Sequence, residues 1–494
     1  SVEVAYHLVY GKGHLSWEWL PEWALRSPLH PLIYAFPFWL LKLFSLDFGF
    51  IIRWIPNIIH AFLFAIADIC FINWAKSVIG FSLDALFIIL PIYFTNWFII
   101  YCSTRTLSNT LECCLMLIAL NFYTKEDGNY LETKKKNDNF EEENLAKFSI
   151  PKIDSFCICL LFVSIAAVMR PTTWLLWIPL CYGHFVFYLL EGLDVINQEI
   201  ITKRMEKYIL SYSPFVIIIP FFTFILDSFY YGRPTSTFFN FFHFNIIKSG
   251  NALFGSHPWH WYFTQGLPSI LLFSSIPLFT ILVKLIRSRF YVDIRLDRRY
   301  ILCAGLYIFS LSLIAHKEHR FGLIHQRGPY VANNKIIQYV DEKLQKDNSS
   351  TIYVLQLMPC YSMPMYAGLH PYAQNVSITM LDCGINNTTD ESEQFHLSPI
   401  LWLNKNWFSK KLYLTNLIVC YQHIFYKLES FLMQKGFERH SLIFHTYFTS
   451  SSRQHSKIIL MNFFFQNTTD ESEQFHSSPI PWLNKNWFSK KIVF

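Results

Sequence analysis

For its first two thirds the chain alternates long apolar runs with short polar loops, and then it changes character. A helix crosses a hydrocarbon core with about 17–25 mainly apolar residues. Runs of that kind lie at 31–48, 51–72, 84–101, 155–170, 172–190, 209–227, 268–286 and 300–316. A shorter run at 107–123 predicts a half-inserted helix. Pro56, Pro91, Pro179, Pro220 and Pro277 fall inside the runs; membrane helices tolerate proline when neighbours satisfy the freed backbone groups. The pattern predicts a multi-pass bundle over 31–321, entered from a polar loop at 1–30. From 322 to 494 polarity is ordinary, and short apolar runs at 351–357 and 457–465 predict strands.

The loops differ in charge. Residues 124–151 hold Lys134-Lys135-Lys136 followed by Glu141-Glu142-Glu143 and read as a solvated, disordered insertion. Loop 191–208 carries Lys203, Arg204 and Lys207; loop 284–299 carries Lys284, Arg287, Arg289, Arg295, Arg298 and Arg299. Excess Lys and Arg in short loops marks the cytoplasmic side. Helix parity then puts Arg170, residues 228–267 and everything after 316 on the lumenal side. Glycosylation triplets at Asn348, Asn375, Asn386, Asn387 and Asn467 agree with a lumenal tail, where Cys360 and Cys383 are free to pair.

Composition excludes a soluble globule. Hydrophobic residues make up 52% of the 494, and charged residues only 15%, against about 25% in soluble domains. The net charge of +6 is dispersed among loops, unlike the basic stripe of a nucleic-acid binder. The 11 cysteines show no metal-ligand spacing, and Cys157, Cys159 and Cys303 sit inside apolar runs; no metal or cofactor is expected. Residues 387–411 recur at 467–491 with two differences, Leu397/Ser477 and Leu401/Pro481. This reads as a duplicated segment, and the second copy is assigned no function. The chain opens at Ser1 without an initiator Met, and further residues are expected upstream.

Four polar clusters flank the apolar runs: GHLSWEWLPEWALRS (13–27), STRTLSNTLE (103–112), GSHPWHWYFTQGLP (255–268) and HKEHRF (316–321). Charge at the edge of a membrane helix is costly and usually faces a cavity or a partner. Arg, Lys and His at a membrane surface suit an anionic phosphate on a lipid tail. Trp and His in the third cluster suit a sugar. Trp17, Trp19 and Trp259 are equally what an interfacial aromatic belt places at helix ends.

In this order the clusters resemble the GPI mannosyltransferase III family, polytopic enzymes of the endoplasmic reticulum. SVEVAYHLVYGKGHLSWEW (1–19), RSPLHPLIYA (26–35), RPTTWLLWIPL (170–180), FNFFHFNIIKSGNALFGSHPWHWYFTQGLP (239–268), HKEHRF, HQRG (325–328) and LMPCYSMPMYAGLH (357–370) carry the likeness, over most of 1–445. It implies an all-α polytopic membrane protein of the GT-C glycosyltransferase type with a smaller mixed α/β lumenal C-terminal domain. It implies inverting transfer of the third, α1,2-linked mannose from dolichyl-phosphate mannose to the GPI-precursor glycolipid. His316, Lys317, Glu318, Arg320 and Arg26 would hold phosphate. His257, Trp259, His260 and Trp261 would shape the sugar site, and Arg105 and Arg170 would join the substrate-binding set. The family carries an acidic His-Pro-Asp-Glu motif a few residues before the position matching Ser1; Glu3 and Glu18 are the carboxylates of the same loop here. Members also continue from HKE-x-RF into further membrane helices, where this chain passes from Phe321 to GLIHQRG. An inactive or truncated copy, a polyprenyl-lipid transporter or scaffold, and a related mannosyltransferase with another acceptor remain open readings.

Overall fold

The computed structural model describes residues 1–79, 83–136, 154–190, 198–248, 250, 257–272, 298–314, 327–346, 351–358, 365–381, 391–408, 415–444 and 457–463. The chain divides into two compact units. One comprises residues 1–5, 18–44 and 54–320; the other comprises 6–17, 45–53 and 321–494.

The first unit is helical. Its elements are α2 (Leu29–Leu43), most of α3 (Gly49–Ile79), α4 (Leu83–Phe94), α5 (Trp97–Ser103), α6 (Ser108–Lys136), α7 (Ser155–Met169), α8 (Trp174–Leu190), α9 (Gln198–Tyr231), α10 (Thr237–Phe242), α11 (Leu267–Leu271) and α12 (Arg298–Leu313). Among the described residues, three helices are long and apolar enough to cross a membrane: Gly49–Val78, Pro171–Leu190 and Gln198–Tyr231. Shorter apolar helices run over Leu29–Leu43, Ser155–Met169 and Tyr300–Leu313.

Burial along these helices is inverted relative to a water-soluble bundle. On α9 the buried residues are Thr223, Asp227 and Tyr231, four apart and therefore on one stripe. Ile217, Phe221, Phe222 and Phe229 are exposed, Phe229 at 87%. Helix α2 buries His30, Tyr34 and Phe38 and exposes Phe36, Trp39 and Leu43. A helix that turns polar groups inward and phenylalanine outward is solvated by lipid rather than by water. The interior is closed by Ala119 and Tyr123 of α6, Phe156, Leu160 and Val163 of α7, Trp177 and Leu180 of α8 and Cys303 of α12.

Several boundaries differ from those predicted, each for a local reason. Helix α2 stops at Leu43 rather than 48, and Ser45 turns to a positive φ of 54°. The run 84–101 is two helices, because Asn96 caps the second by accepting from Phe98 N at 2.9 Å and Ile99 N at 3.3 Å. Helix α6 continues to Lys136, so the first part of the stretch expected to be disordered from 124 is helical. Lys and Glu are good helix formers, so a charged composition does not by itself end a helix. Residues 137–151 and most of the run 268–286 lie outside the described residues. Helix α7 begins where Asp154 accepts from Cys157 N at 2.8 Å; its other oxygen accepts from the Tyr212 hydroxyl of α9 at 2.7 Å.

The second unit is a mixed α/β layer structure. Five strands, β1 (Ile352–Leu357), β2 (Val376–Met380), β3 (Thr415–Tyr421), β4 (Phe437–Phe444) and β5 (Lys457–Phe463), lie in the order β2-β1-β3-β5-β4. β1 pairs parallel with β2 and β3, while β5 pairs antiparallel with β3 and β4. The predicted runs 351–357 and 457–465 are β1 and β5. Alternation along the strands serves two cores. Val354, Leu417 and Val419 meet Ala332, Ile336 and Val340 of α13 (Arg327–Leu344). Leu357, Ile418 and Cys420 meet Phe395, Trp402, Trp407 and the helix α14 (Gln422–Gln434). The described part of the first repeat copy is therefore part of a core. The second copy, 467–491, lies outside the described residues, as do Cys360 and Cys383.

Candidate active site

In the first unit the polar clusters assemble into two constellations. The first is built on the loop that follows residue 17. Backbone bonds from Trp23 N and Ala24 N to Leu20 O, at 3.0 and 2.9 Å, and from Leu25 N to Glu18 O at 3.0 Å, fold it tightly. Ala24 takes a positive φ of 42°. This turn returns Arg26 to Glu18: Nη2 lies 3.0 Å from Oε1 and Nε 3.3 Å from Oε2. The two-pronged pair fixes the guanidinium plane, and the cation also sits 5.6 Å from the Phe241 ring centroid. Both side chains keep 30% of their surface open.

Residues at and beyond the end of α9 hold this loop in place. Asp227 accepts from Ser27 Oγ at 2.7 Å, from Thr237 Oγ1 at 2.6 Å and from Thr237 N at 3.1 Å. The Tyr231 hydroxyl donates to Arg26 O at 2.7 Å, and Asn240 Nδ2 donates to Ala24 O at 3.2 Å. The edge of one ring, Trp23 or Phe244, meets the face of the other at 5.7 Å. Four separate contacts therefore lock the backbone of 23–27, and the Arg26 head group is placed rather than free to swing.

The second constellation joins three motifs. Glu112, in the first turns of α6, lies 2.8 Å from Arg170 Nε. Its Oε1 accepts from Thr173 Oγ1 at 2.8 Å and Thr172 Oγ1 at 3.1 Å. The Arg170 Nη1 group donates to Asn109 Oδ1. STRTLSNTLE and RPTT thus meet side chain to side chain. Tyr262 of the WHWY stretch lies within the field of Arg170, and Tyr307 of α12 within that of Glu112, Arg170 and Tyr262. Burial raises the Tyr262 phenol above its ordinary value, and Arg170 partly offsets this.

Around Tyr262 the chain is pinned from α5. Asn96 Nδ2 donates to Ile270 O at 3.2 Å, and Trp97 Nε1 donates to Ser269 O at 3.0 Å. His257 and Trp261 lie ring to ring at 5.2 Å; Trp261 is buried, whereas Trp259 is 64% exposed. His260 Nδ1 is 3.4 Å from Thr264 Oγ1. The open surface of this turn comes instead from the exposed Trp259 and His260, whose rings lie 5.7 Å apart edge to face. Arg105 lies with its guanidinium 4.5 Å from the Tyr101 centroid, and burial lowers it from its ordinary value. Among the described residues, no three or more His, Cys, Asp or Glu side chains are arranged as metal ligands.

Sequence reasoning missed a third polar feature. Ser1 Oγ meets His30 Nδ1 at 2.9 Å, His30 Nε2 meets the Tyr34 hydroxyl at 2.8 Å, and that hydroxyl also meets His60 Nε2. His30, Tyr34 and His60 are all buried. The signal was available: His60 lies inside the apolar run 51–72, and a polar residue in a membrane run calls for a partner. Asp227, at the end of 209–227, was readable in the same way.

Of the residues singled out in sequence, Glu18 pairs with Arg26, and Arg170 pairs with Glu112. His257, Trp259, His260 and Trp261 share one turn, while Arg105 stands against Tyr101. Glu3 is on the short helix α1 (Val2–Tyr10), half-buried. His316, Lys317, Glu318 and Arg320 lie outside the described residues.

The profile of the Alg9-like mannosyltransferase family matches residues 1–323. Over 493 residues the chain is 28% identical to a Xenopus laevis protein named GPI alpha-1,2-mannosyltransferase 3, covering 90% of this chain and 82% of that one. The human protein of that name is 27% identical over 497 residues, covering 90% and 79%. A Candida albicans protein named GPI mannosyltransferase 3 is 30% identical over 323 residues, 65% of this chain and 55% of that one. No solved structure matches.

Proposed function

Because the chain belongs to the Alg9-like mannosyltransferase family, we propose that it transfers the third, α1,2-linked mannose from dolichyl-phosphate mannose to a GPI-anchor precursor in the endoplasmic reticulum membrane. The observation that carries this reading is the likeness to proteins named GPI alpha-1,2-mannosyltransferase 3 along 90% of the chain. The lipid-solvated bundle supports it, since both donor and acceptor would be lipid-anchored. So does the placement of two arginines, Arg26 and Arg170, each fixed by a carboxylate.

The reaction is a single displacement with inversion. An acceptor hydroxyl oxygen attacks C1 of the mannose, the bond from C1 to the phosphate oxygen breaks, and dolichyl phosphate leaves with the electron pair. A carboxylate of the first loop takes the hydroxyl proton. Glu3 and Glu18 are the candidates in this chain, and Glu18 is already engaged by Arg26. Arg26, with His316, Lys317 and Arg320, would bind the phosphate and stabilise the charge that develops on it. Glu318 would orient those cations, and Arg105 and Arg170 would line the approach. His257, Trp259, His260 and Trp261 would hold the sugar.

The test is expression in cells lacking GPI mannosyltransferase 3, followed by feeding labelled mannose and resolving the glycolipids. A GPI intermediate carrying a third, α1,2-linked mannose is the expected product. A well-expressed chain that leaves the two-mannose intermediate unchanged sinks the proposal and favours an inactive copy. Label on a different lipid acceptor moves the chain to another mannosyltransferase role.

A further inference from the structure

The C-terminal unit includes residues 6–17, and with them most of helix α1. The side chain that ties them to the sheet region is His370, from the LMPCYSMPMYAGLH motif. Tyr6, 1% exposed, brings its hydroxyl 2.8 Å from His370 Nδ1. The opposite ring nitrogen, Nε2, lies 2.5 Å from the backbone oxygen of Asp47. A carbonyl oxygen only accepts, so Nε2 carries the proton of the neutral ring, Nδ1 is the acceptor, and Tyr6 donates to it. The Tyr10 ring stacks on Tyr6 at 4.5 Å and lies 5.1 Å from His370.

Neighbouring contacts secure the same junction. Lys12 Nζ donates to the carbonyls of Ala373 at 3.1 Å and Gln374 at 3.0 Å. Gly49 passes so close that a Cβ there would stand 2.1 Å from His370 O. Arg53 Nη1 donates to Asn334 Oδ1 of α13 at 2.8 Å. Helix α1 has only 9 residues, and helices shorter than about 12–15 residues are marginal on their own. Its order therefore comes from packing: Val4 and Ala5 are buried, and Tyr6 and Tyr10, with Lys12 just beyond the helix, find partners at 370–374.

We propose that His370 is a positioning residue for mannosyl transfer: by holding Tyr6 it orders helix α1, on which Glu3 stands one turn earlier. The proposal rests on the mannosyltransferase reading above. The link runs along one helix: a side chain more than three hundred residues away in sequence holds Tyr6, and Glu3 lies on the same helix.

The experiment uses full-length protein in lipid nanodiscs, comparing wild type with His370→Ala, His370→Asn and Tyr6→Phe. Mannose transfer is followed to give kcat and KM, and hydrogen exchange is followed on residues 2–10 and on β1 and β3. For His370→Ala, exchange of 2–10 should quicken by about tenfold while β1 and β3 hold. Its kcat should fall by about tenfold, with KM for dolichyl-phosphate mannose within about twofold. Asn, which keeps an acceptor near the Nδ1 position, should recover part of both effects. Should Ala also loosen the strands, Tyr6→Phe decides, since it removes one hydrogen bond and keeps the ring. Unchanged exchange in α1, or a loosened α1 with kcat within about twofold of wild type, overturns the proposal. If wild type transfers no mannose to a GPI precursor, the functional reading fails, while the exchange data still decide whether His370 holds α1.

Discussion

Replacing Glu112 by Met, alone and together with Arg170→Met, tests whether the second constellation is a buried ion pair or incidental polarity. The side chains keep 8% and 22% of their surface, and the charges stand 2.8 Å apart. With an effective dielectric near 20, that separation gives a gross attraction of about 6 kcal/mol. Desolvation offsets most of it, so the pair itself adds little net stability; removing one partner, however, strands the other charge, at a cost of about 3–5 kcal/mol. Thr172 and Thr173 also lose their acceptor. Glu112→Met should therefore destabilise the bundle by about 3–5 kcal/mol, and the double replacement by less, about 1–3 kcal/mol, because no charge remains and only the threonine hydroxyls lack their acceptor. Reversible unfolding in mixed micelles, read by tryptophan fluorescence, measures both. A single replacement costing under about 1 kcal/mol, or a double that costs the sum of the singles, refutes the argument.

Other consequences follow from the same geometry. Arg26→Ala should lower mannose transfer by about tenfold or more, yet change unfolding by under about 1 kcal/mol, because the pair with Glu18 is part-exposed; turnover and melting on one preparation separate the two. Asp227→Asn should cost about 1–3 kcal/mol, since the amide nitrogen cannot accept from Ser27 or Thr237, and Thr237→Val in that background should recover part of it. Burial lowers His370 from its ordinary value against the weaker opposing pull of Asp47, with Tyr6 and Tyr10 the other titratable groups on it. The folded state thus favours the neutral ring, so stability is full above about pH 6.5 and falls as acid protonates the unfolded chain first; His370→Asn should flatten that slope in a melting series. In the first repeat copy, Trp402→Ala should cost the C-terminal unit about 3–5 kcal/mol. Leu397→Ser, the change seen at that position in the second copy, should cost under about 1 kcal/mol because that side chain is 77% exposed; exchange protection of β3 reports on both.

What the pattern of residues made legible was governed by period and length. The runs at 51–72, 155–170 and 172–190 are helices because nothing inside them offers the backbone a better partner. The run at 84–101 has the same hydropathy but contains Asn96, whose side chain satisfies the first amides of a new helix, and hydropathy averages do not register a cap. The stretch after 124 shows the opposite error. Its charges argue against burial, not against helix, and α6 runs on to Lys136. Strands β1 and β5 were visible as apolar runs, whereas β4 (FERHSLIF) has charged and polar residues at 438–441 and takes its place from pairing with β5.

The site was legible by residue type and opaque by partner. Arg170 was singled out through helix parity and the family resemblance of RPTTWLLWIPL; its carboxylate, 58 residues earlier in sequence, could not be chosen over other acids without the fold. For Arg26 the answer was local, eight residues back across a tight loop. The first loop posed a harder problem. Helix α1 looks in sequence like the leading part of a polar loop, and nothing nearby in the chain explains why it should be helical. Its explanation sits at His370, in a region whose own strands suggested a separate domain. A motif of apolar and small residues ending in a single histidine carried no chemical signal until Tyr6, Asp47 and that ring were seen within hydrogen-bonding reach. On the proposal that His370 orders the helix bearing Glu3, removal of residues 351–463 should lower mannose transfer as His370→Ala does, read in the same transfer assay; a truncated protein that transfers mannose within about twofold of wild type refutes it.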